Sequence, residues 1–380
     1  MAVGERLPVV AIVGASARAA AGSVLRSGKW ASAADLFADV DLAQQCPVER
    51  VLPYPEGLVD WLGRTACDGW LYTGALENYP ELVDRMAELR PLWGNDGPTL
   101  RTVRRPERLA DVLRDAGLLF PETRASIAGL PCDGTWLRKS YRGSSGSGVS
   151  ELTAVRSVPE RGVFYQRRVA GTACSAVFVG HGQRGPLLGV TRQLVGEPWA
   201  GASDFQYCGS IGPLPLEPQL EAELVLLGDV LAASFGLLGL FGVDLMIDGD
   251  DLWTIEVNPR YTAAVEVVER ASGRAVIDAH VAGCRKEAQQ QPTTAGKEKF
   301  WGKAIVFGKR PMVVAEPFVH WALRQPLADI PRPGTPIAPG RPILTAFAEA
   351  ESIAQVEAEL RHRVAAVEQR LYGKGENAWR

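Results

Sequence analysis

The chain has 380 residues, of which 46% are hydrophobic and 22% are charged, and its formal net charge is −3. This composition predicts a globular protein of roughly two to four domains. It offers no basic surface for nucleic acid and no run of the about 20 apolar residues that cross a bilayer. The apolar run at residues 7–13 is too short for the core of a secretory signal. We therefore expect a soluble cytoplasmic protein that binds neither nucleic acid nor membranes.

Cysteine and histidine are too dispersed to predict a zinc site or a disulfide framework. The six cysteines and four histidines include no C-x-x-C pair and no cluster with zinc-ligand spacing. Widely spaced cysteines are typical of buried free thiols in a reducing compartment. The sequence also lacks a Ser–His or Cys–His signature, which favours chemistry that needs no nucleophilic side chain.

The N-terminal part of the chain alternates between strand-like and helix-like segments. Residues 8–13 form a short β-branched run that ends at Gly14, residues 69–74 form a second strand, and residues 80–89 have helical spacing. Such alternation predicts a small Rossmann-like α/β unit. The turn at Gly14 lacks the full G-x-G-x-x-G pattern, so it does not favour dinucleotide binding.

The rest of the chain mixes strands with amphipathic helices. Apolar spacing predicts helices over residues 106–117, 220–240 and 350–371. A polar stretch at 286–299 is typical of a linker or exposed loop. Proline- and glycine-rich segments within residues 300–348 predict short strands.

Residues 137–149 form the first segment that carries chemistry. Lys139 precedes a turn with three glycines among six residues, and strand-like segments flank the turn. Glycine tolerates the positive-φ conformations that direct backbone N–H groups toward an anion, and Lys139 would add an ammonium group. The lysine precedes the glycines, so this is not a P-loop; a flexible hairpin without a ligand is the alternative. The turn consists of Gly143, Ser144, Ser145, Gly146, Ser147 and Gly148.

The second such segment is a predicted hairpin over residues 241–260. Side chains alternate across a strand, so Glu256 and Asn258 share a face, and the hairpin brings Asp244 beside them. Carboxylate and amide oxygens without Cys or His favour Mg²⁺, which also binds nucleotide phosphates. Acidic residues within apolar strands are costly unless a cation compensates their charge. A surface hairpin with solvated acids is the alternative, and we expect it for the turn at 248–251.

Together the two segments resemble the ATP-grasp superfamily. The match comprises Lys139 with its glycine turn, Asp244 after Gly-Val, and the pattern Glu256-x-Asn258-Pro-Arg260. The resemblance implies an ATP-grasp fold of the α/β (α+β) class with an N-terminal Rossmann-like preATP-grasp domain and a small C-terminal β-rich subdomain. The implied units are a preATP-grasp domain at 1–120, a glycine-loop subdomain at 121–172, a metal-binding subdomain at 173–290 and the β-rich subdomain with a terminal helix at 300–380.

The resemblance also implies roles for these residues. Lys139 would contact the phosphates of ATP and the turn at 143–148 would close over them. Asp244, Glu256 and Asn258 would hold one or two Mg²⁺ ions, with Glu256 bridging. The adenine-binding strand would use groups of Gln166, Arg167, Arg168 and Val169.

One familiar part of the pattern has no clear match in this sequence. A first phosphate-binding lysine usually precedes the glycine-loop subdomain, and no lysine stands there. Arg101 or Arg104 is the alternative cation at that place. The acidic residue that often follows the hinge glycine is also missing after Gly171.

The implied reaction joins a small-molecule carboxylate to an amine. Phosphoryl transfer from ATP would convert the carboxylate to an acylphosphate, and attack by the amine would release phosphate beside ADP. Arg260 and Arg192, with Lys139, are the catalytic candidates, because guanidinium groups pair with such anions through two bonds; structural salt bridges are the alternative for both arginines. A carboxylating enzyme resembling carboxyaminoimidazole ribonucleotide synthase and a non-catalytic nucleotide-binding protein are the other readings of the chain. A homodimer is the default expectation for the assembly.

Overall fold

A computed structural model describes residues 7–154, 161–287 and 299–373 of the chain. Its N-terminal unit alternates strands and helices, as the sequence predicts. These elements are β1 Val9–Gly14, α1 Arg18–Arg26, β2 Trp30–Asp35, α2 Val40–Gln45, β3 Val48–Arg50, α3 Gly57–Arg64, β4 Gly69–Tyr72 and α4 Pro80–Leu89.

The four strands form one parallel sheet in the order β3-β2-β1-β4. Helices cover both faces of such a sheet, and Val10, Ile12 and Leu71 are accordingly almost completely buried. The carboxyl ends of β1 and β4 therefore open at the same edge of the sheet. That edge is where α/β proteins of this kind place ligands.

Two short helices lead from this unit to the next sheet. Pro106 occupies the first turn of the second helix, where its missing N–H is no loss, and Gly117 follows the helix with a φ of +73°. The predicted helix at 106–117 is therefore confirmed apart from its last two residues. The helices are α5 Gly97–Val103 and α6 Pro106–Asp115.

A small antiparallel sheet carries the glycine-rich turn. Its strands are β5 Thr123–Arg124, β6 Trp136–Ser144, β7 Ser147–Glu151 and β8 Val163–Arg167. They lie in the order β5-β8-β6-β7, so that Lys139 on β6 stands between Val149 on β7 and Phe164 on β8. Strand β7 follows the turn directly, in agreement with the hairpin that the sequence predicts.

An eight-stranded sheet forms the centre of the molecule. Its strands are β9 Thr172–His181, β10 Leu187–Val195, β11 Tyr207–Gly212, β12 Leu238–Asp248, β13 Asp251–Asn258, β14 Phe300–Phe307, β16 Leu327–Ala328 and β18 Pro342–Ala350. They lie in the order β13-β12-β9-β10-β11-β14-β18-β16. The C-terminal strands thus continue the central sheet.

Helices and one further strand pair complete the structure. The helix predicted at 220–240 ends earlier, because Gly236 adopts a left-handed conformation and residues 238–240 begin β12. The predicted linker at 286–299 falls mostly outside the described residues. The remaining elements are α7 Pro218–Phe235, α8 Ala263–Ser272, α9 Ile277–Cys284, β15 Met312–Val313, α10 Glu316–Ala322, β17 Pro336–Ile337 and α11 Ile353–Tyr372.

Helix α8 packs the N-terminal unit against the central sheet. Its apolar side chains Val265 and Val268 lie in one buried cluster with Val24 of α1 and Val177 of β9. Within 7–154, 161–287 and 299–373, no helix is long and apolar enough to cross a membrane. The predicted α/β class is confirmed, whereas the four domain boundaries remain predictions.

Candidate active site

The acidic hairpin of β12 and β13 brings its three polar residues together. Asp244 pairs in register with Glu256, and Gly242 pairs with Asn258. The Asn258 Nδ2 group donates to Asp244 Oδ2 at 3.0 Å and lies 3.4 Å from Glu256 Oε1. Gln193 on β10 donates from Nε2 to Asp244 Oδ1 at 2.7 Å. The predicted grouping of Asp244, Glu256 and Asn258 is therefore present in the fold.

The two carboxylates differ in their electrostatic surroundings. Burial, and after it the charge of Glu256, raises the pKa of Asp244 to about 7. The crowded surroundings also act on Glu256, yet the charges of Lys139 and Arg104 lower its pKa. Asp244 is half-buried and Glu256 is exposed at the cleft, and two carboxylates side by side repel each other when both are ionised unless a cation compensates them. The pair therefore favours a bound cation.

The donor set suits a hard divalent cation. It offers carboxylate and amide oxygens, and no sulfur or imidazole nitrogen. Among the residues that the structure describes, no group of three or more His, Cys, Asp and Glu could hold a metal ion. A cation at Asp244 and Glu256 would thus complete its coordination with waters or phosphate oxygens, which is how Mg²⁺ binds in nucleotide sites.

Lys139 lies close to the acidic hairpin, although it belongs to a different sheet. Its ammonium group donates to Gln166 Oε1 at 3.0 Å, and only 8% of the residue is exposed. Burial lowers the pKa of Lys139, and the charges of Glu256 and Asp244 oppose that shift. The fold thereby connects the two segments that the sequence analysis singled out.

The candidate residues at the end of β8 and just after it differ in how exposed their side chains are. Gln166 is buried against Lys139, whereas Arg167 and Arg168 are exposed and Val169 is half-buried. Arg168 forms an ion pair with Glu151 at 2.5 Å. Only Gln166 of this group therefore directs its side chain to the site, so a role for the other three would have to rely on their backbone groups.

The tip of the glycine hairpin rests on the loop before β11. Ser145 and Gly146 both have positive φ, which is typical of a tight hairpin turn. The Tyr207 N–H donates to the Ser145 carbonyl at 3.2 Å. A Cβ at Gly146 would stand 1.8 Å from the Phe205 carbonyl oxygen. Glycine is therefore required here by close approach as well as by φ.

A cleft that is open to solvent lies between this hairpin, the start of α6 and the strand β13. Lys139, Arg104 and Glu256 line it together with most of the glycine turn. Gly148 does not contribute to its wall. The turn residues that do are Gly143, Ser144, Ser145, Gly146 and Ser147.

Arg260 is held beside the hairpin by a residue that the sequence analysis missed. Its Nη2 group lies 2.7 Å from Glu77 Oε1 and donates to Asn258 Oδ1 at 3.2 Å. Glu77 follows β4, so the carboxyl edge of the N-terminal sheet was the available signal. Arg104 Nη1 lies 3.7 Å from the same Glu77 oxygen. Arg101 instead pairs with Asp84 outside the cleft, so geometry favours Arg104 as the second cation.

The structure does not bring Arg192 into this site. Side chains alternate along β10, and it is Gln193 that reaches Asp244. Arg192 therefore points to the other face, where it forms an ion pair with Glu357 of α11. Its assignment as a catalytic candidate is corrected on this ground, and Gln193 is a contact that the sequence analysis missed.

Comparison with known proteins places this site in a known domain. Residues 107–264 match the ATP-grasp domain family. A formate-dependent phosphoribosylglycinamide formyltransferase from Stenotrophomonas maltophilia is 30% identical over 149 residues, which are 37% of this chain and 36% of that protein. The chain thus matches about a third of the length of its curated relatives.

Solved structures of similar fold extend the comparison to nearly the whole chain. Carboxyaminoimidazole ribonucleotide synthase from Aspergillus clavatus, complexed with ATP, has a TM-score of 0.70 at 14% identity, over 96% of this chain and 99% of its own. L-amino acid ligase from Bacillus licheniformis has a TM-score of 0.67 at 16% identity, over 95% and 98%. Biotin carboxylase from Campylobacter jejuni has a TM-score of 0.69 at 12% identity, over 92% and 89%. At these identities the likeness establishes the fold.

Proposed function

We propose that this chain, which contains an ATP-grasp domain, binds Mg–ATP in the cleft and joins a carboxylate to an amine with release of ADP and phosphate. The observation that carries the proposal is the convergence of Lys139 with Asp244, Glu256 and Asn258 opposite the glycine hairpin. A single segment would be compatible with a structural role. Lys139 and Glu256 both line the cleft, and Asp244 and Asn258 lie beside Glu256, which suits an anionic ligand together with a cation.

The metal would be held by Asp244 and Glu256, with Asn258 as the third ligand. The Asn258 amide directs its nitrogen to the carboxylates and its oxygen to Arg260; rotation of the amide by half a turn would present the oxygen to a cation. When bound, Mg²⁺ would supply positive charge at the transferring phosphoryl group. It would also offset the burial and the repulsion from Glu256 that raise the pKa of Asp244.

The nucleotide would be positioned by groups from three elements. Lys139 and Arg104 supply positive charge at the cleft wall, and backbone N–H groups of the turn at 143–148 would cover the phosphates. The strand β8 would receive the adenine near Gln166 and the backbone of residues 167–169. The chain needs no covalent nucleophile for this reaction, because positioning and charge stabilisation account for phosphoryl transfer.

The acceptor substrates would bind on the other side of Arg260. Within the described residues, three buried polar atoms here have no hydrogen-bond partner: Glu77 Oε2, Arg260 Nε and the Tyr54 hydroxyl. Buried polar atoms without partners are costly, so a ligand that satisfies them gains affinity. Glu77 Oε2 suits an amine, and Arg260 suits a carboxylate or acylphosphate.

A carboxylating enzyme is the alternative, with bicarbonate as the carboxylate that accepts the phosphoryl group. The likeness in fold to carboxyaminoimidazole ribonucleotide synthase motivates it. We favour an organic carboxylate, because the sequence shows no evident ribonucleotide-phosphate site. A non-catalytic nucleotide-binding protein is the third candidate, and the presence of both carboxylates and Lys139 argues against it.

A screen of carboxylate and amine pairs for ADP formation tests the proposal. With Mg–ATP and its substrates, the protein should release ADP and phosphate, and hydroxylamine should trap a hydroxamate of the carboxylate. Bicarbonate-dependent ADP release without an organic carboxylate would favour the carboxylating enzyme. Release of AMP and pyrophosphate would exclude an acylphosphate. Saturable ATP binding without turnover across the screen would favour the non-catalytic protein.

The setting of the reaction follows from the same proposal. We place the protein in a reducing cytoplasm, an assignment that its six free cysteines support. The partners are small-molecule carboxylate and amine substrates, with a homodimer as the default assembly. Mass measurement in solution would decide the assembly.

A further inference from the structure

A second cavity lies at the other end of α8, away from the ATP cleft. It has a volume of about 560 Å³, is partly open to solvent, and lies between α2, the end of α8, the strands β14 and β18, and α11. None of its lining residues lines the ATP cleft. Its wall combines three arginines with aromatic and aliphatic side chains, among them Arg18, Arg270, Arg363, Trp301, Phe347 and Leu327.

Arg270 is the least neutralised cation of this cavity. Its guanidinium group lies 4.0 Å from the centre of the Phe347 ring and 5.3 Å from that of Trp301. Its carboxylate partner is Glu266, at 3.6 Å. Its Nε atom is buried and has no hydrogen-bond partner among the described residues. Aromatic walls thus orient Arg270 without neutralising it.

Glu266 cannot neutralise Arg270, because two other cations already occupy it. Arg18 binds it through two bonds, one of them Nη2 to Oε2 at 2.9 Å, and Lys303 donates to Oε2 at 3.1 Å. Three cations therefore share one carboxylate. Asp329 offsets only Arg18, whose Nε donates to it at 2.8 Å.

The acidic residues that line the cavity pair with groups other than Arg270, and Asp41 lies 3.9 Å from Arg18. Asp41 accepts the backbone N–H groups of residues 329 and 330 at 3.0 and 2.9 Å. Glu349 pairs with Lys299 at 2.6 Å. Arg363, on the α11 side, donates from Nε to Glu359 at 2.7 Å. The cavity wall thus retains positive charge at Arg270 that nothing in the described structure balances fully.

We propose that this cavity is a second ligand site, which takes a small molecule with a carboxylate or phosphate group on an apolar body. The anionic group would pair with Arg270, and with Arg363 opposite. Its apolar body would cover the wall formed by Leu327 and its neighbours Pro326 and Ala328. The site is separate from the proposed reaction and does not depend on it.

Helix α8 connects this cavity to the candidate metal site. It starts at Ala263, five residues after Asn258, and Arg270 lies on its last turn. A helix of ten residues spans about 15 Å. The helix therefore separates a ligand at Arg270 from the candidate metal site by about its own length, so that both sites can be occupied at once.

Fluorine NMR of protein labelled with 5-fluorotryptophan tests this site directly. Trp301 lines the cavity, and the variant Trp301→Phe identifies its resonance. Titration with benzoate or phenyl phosphate should shift that resonance saturably, whereas acetate, which lacks an apolar body, should bind at least about tenfold more weakly. Benzoate and phenyl phosphate distinguish a carboxylate from a phosphate ligand. No saturable shift with either probe would overturn the proposal.

Variants of two arginines on the same segment decide the role of Arg270. Arg270→Gln should weaken binding of the better probe by about tenfold or more, because a charged hydrogen bond is lost. Arg274→Gln, at an exposed position near the end of the same helix, should leave binding unchanged. Should Arg270→Gln fail to fold, Arg363→Gln with the same expected loss replaces it. Unchanged binding in a folded Arg270→Gln protein, or displacement of the probe by Mg–ATP, would overturn the proposal.

Discussion

The two hairpins that meet at the cleft are built in opposite ways. The hairpin of β12 and β13 belongs to the central sheet, where β13 is the edge strand and β12 pairs with β9 over residues 238–247. The hairpin of β6 and β7 lies at the edge of a small sheet, and its tip contacts residues 205–207. One hairpin is fixed by neighbours on both faces, and the other is held at its base and tip.

This difference suits the two hairpins to different roles in binding and catalysis. Acidic side chains need fixed positions to hold a cation; here Asp244 lies on the inner strand β12, and Glu256 lies on the edge strand β13 that pairs with it. A loop that covers phosphates must open for the ligand to enter, and an edge hairpin with few buried contacts opens at low cost. We therefore expect changes in the acidic hairpin to affect the chemical step and changes in the glycine hairpin to affect ATP affinity.

The largest effect should come from the acidic hairpin itself. Glu256→Gln keeps the size of the side chain but removes the charge that a cation needs, so ADP formation should fall by at least about 100-fold. Asp250→Asn is the matched control, because Asp250 is exposed at the turn of the same hairpin and should leave the rate unchanged. Steady-state kinetics would measure both, and full activity of Glu256→Gln would remove the metal assignment.

His280, which contacts the acidic hairpin, should make the stability of the protein depend on pH. The Leu240 N–H of β12 donates to His280 Nδ1 at 2.8 Å, and burial lowers the pKa of His280 from its ordinary 6.5 to about 4. Below pH 6.5 the histidine of the unfolded chain takes up a proton, whereas folded His280 stays neutral until the pH approaches 4. The contribution of neutral His280 to the free energy of unfolding is therefore fully present above pH 6.5. It falls as the pH is lowered, by about 2 kcal/mol at pH 5.

Urea unfolding of wild type and His280→Gln at pH 7.5 and pH 5 would measure this contribution. The variant should be less stable at pH 7.5, since two hydrogen bonds of the ring, to Leu240 and to the Trp93 carbonyl, are disturbed. Its free energy of unfolding should then depend less on pH than that of wild type. An identical pH dependence for the two proteins would contradict a buried neutral histidine.

The fold was readable from the sequence where local pattern and tertiary environment agree. The buried run of β1 and the hairpin at 241–260 are examples, because strand period and turn residues indicate one structure. The helix predicted at 220–240 ran too far, since the apolar residues 237–240 continue the helical spacing and only Gly236 marks its end. The sequence analysis missed strands β2 and β3, because both are short and consist mainly of alanine and polar residues, which do not favour a strand.

Contacts between site residues could be predicted within one segment of the sequence but not between distant segments. Asp244 and Glu256 lie on one hairpin, so their pairing follows from local geometry. Nearly half of the chain separates Glu77 from Arg260, and packing of the N-terminal unit against α8 brings them together. The Arg192 assignment failed for a related reason, because adjacent residues of a strand face opposite sides and only the neighbour in space decides which side carries the site.

The glycine hairpin should give a smaller effect that is confined to ATP affinity. In Gly146→Ala the new methyl group would meet the Phe205 carbonyl, so the tip must shift and ATP should bind about tenfold more weakly. Gly249→Ala is the matched control: it also has positive φ, at the turn of the acidic hairpin, and its Cβ meets nothing within 4 Å. Equal ATP affinities for the two variants, measured by calorimetry, would contradict the docked tip.

The smallest effect should come from Arg192, and it tests the two faces of the central sheet. Arg192→Gln removes an ion pair with Glu357 on the face opposite Asp244, and partly exposed ion pairs contribute little. The rate of ADP formation should change by less than about threefold, whereas Arg260→Gln, beside Asn258, should lower it by at least about tenfold. A tenfold loss in Arg192→Gln with unchanged thermal stability would mean that this arginine reaches the substrates after all.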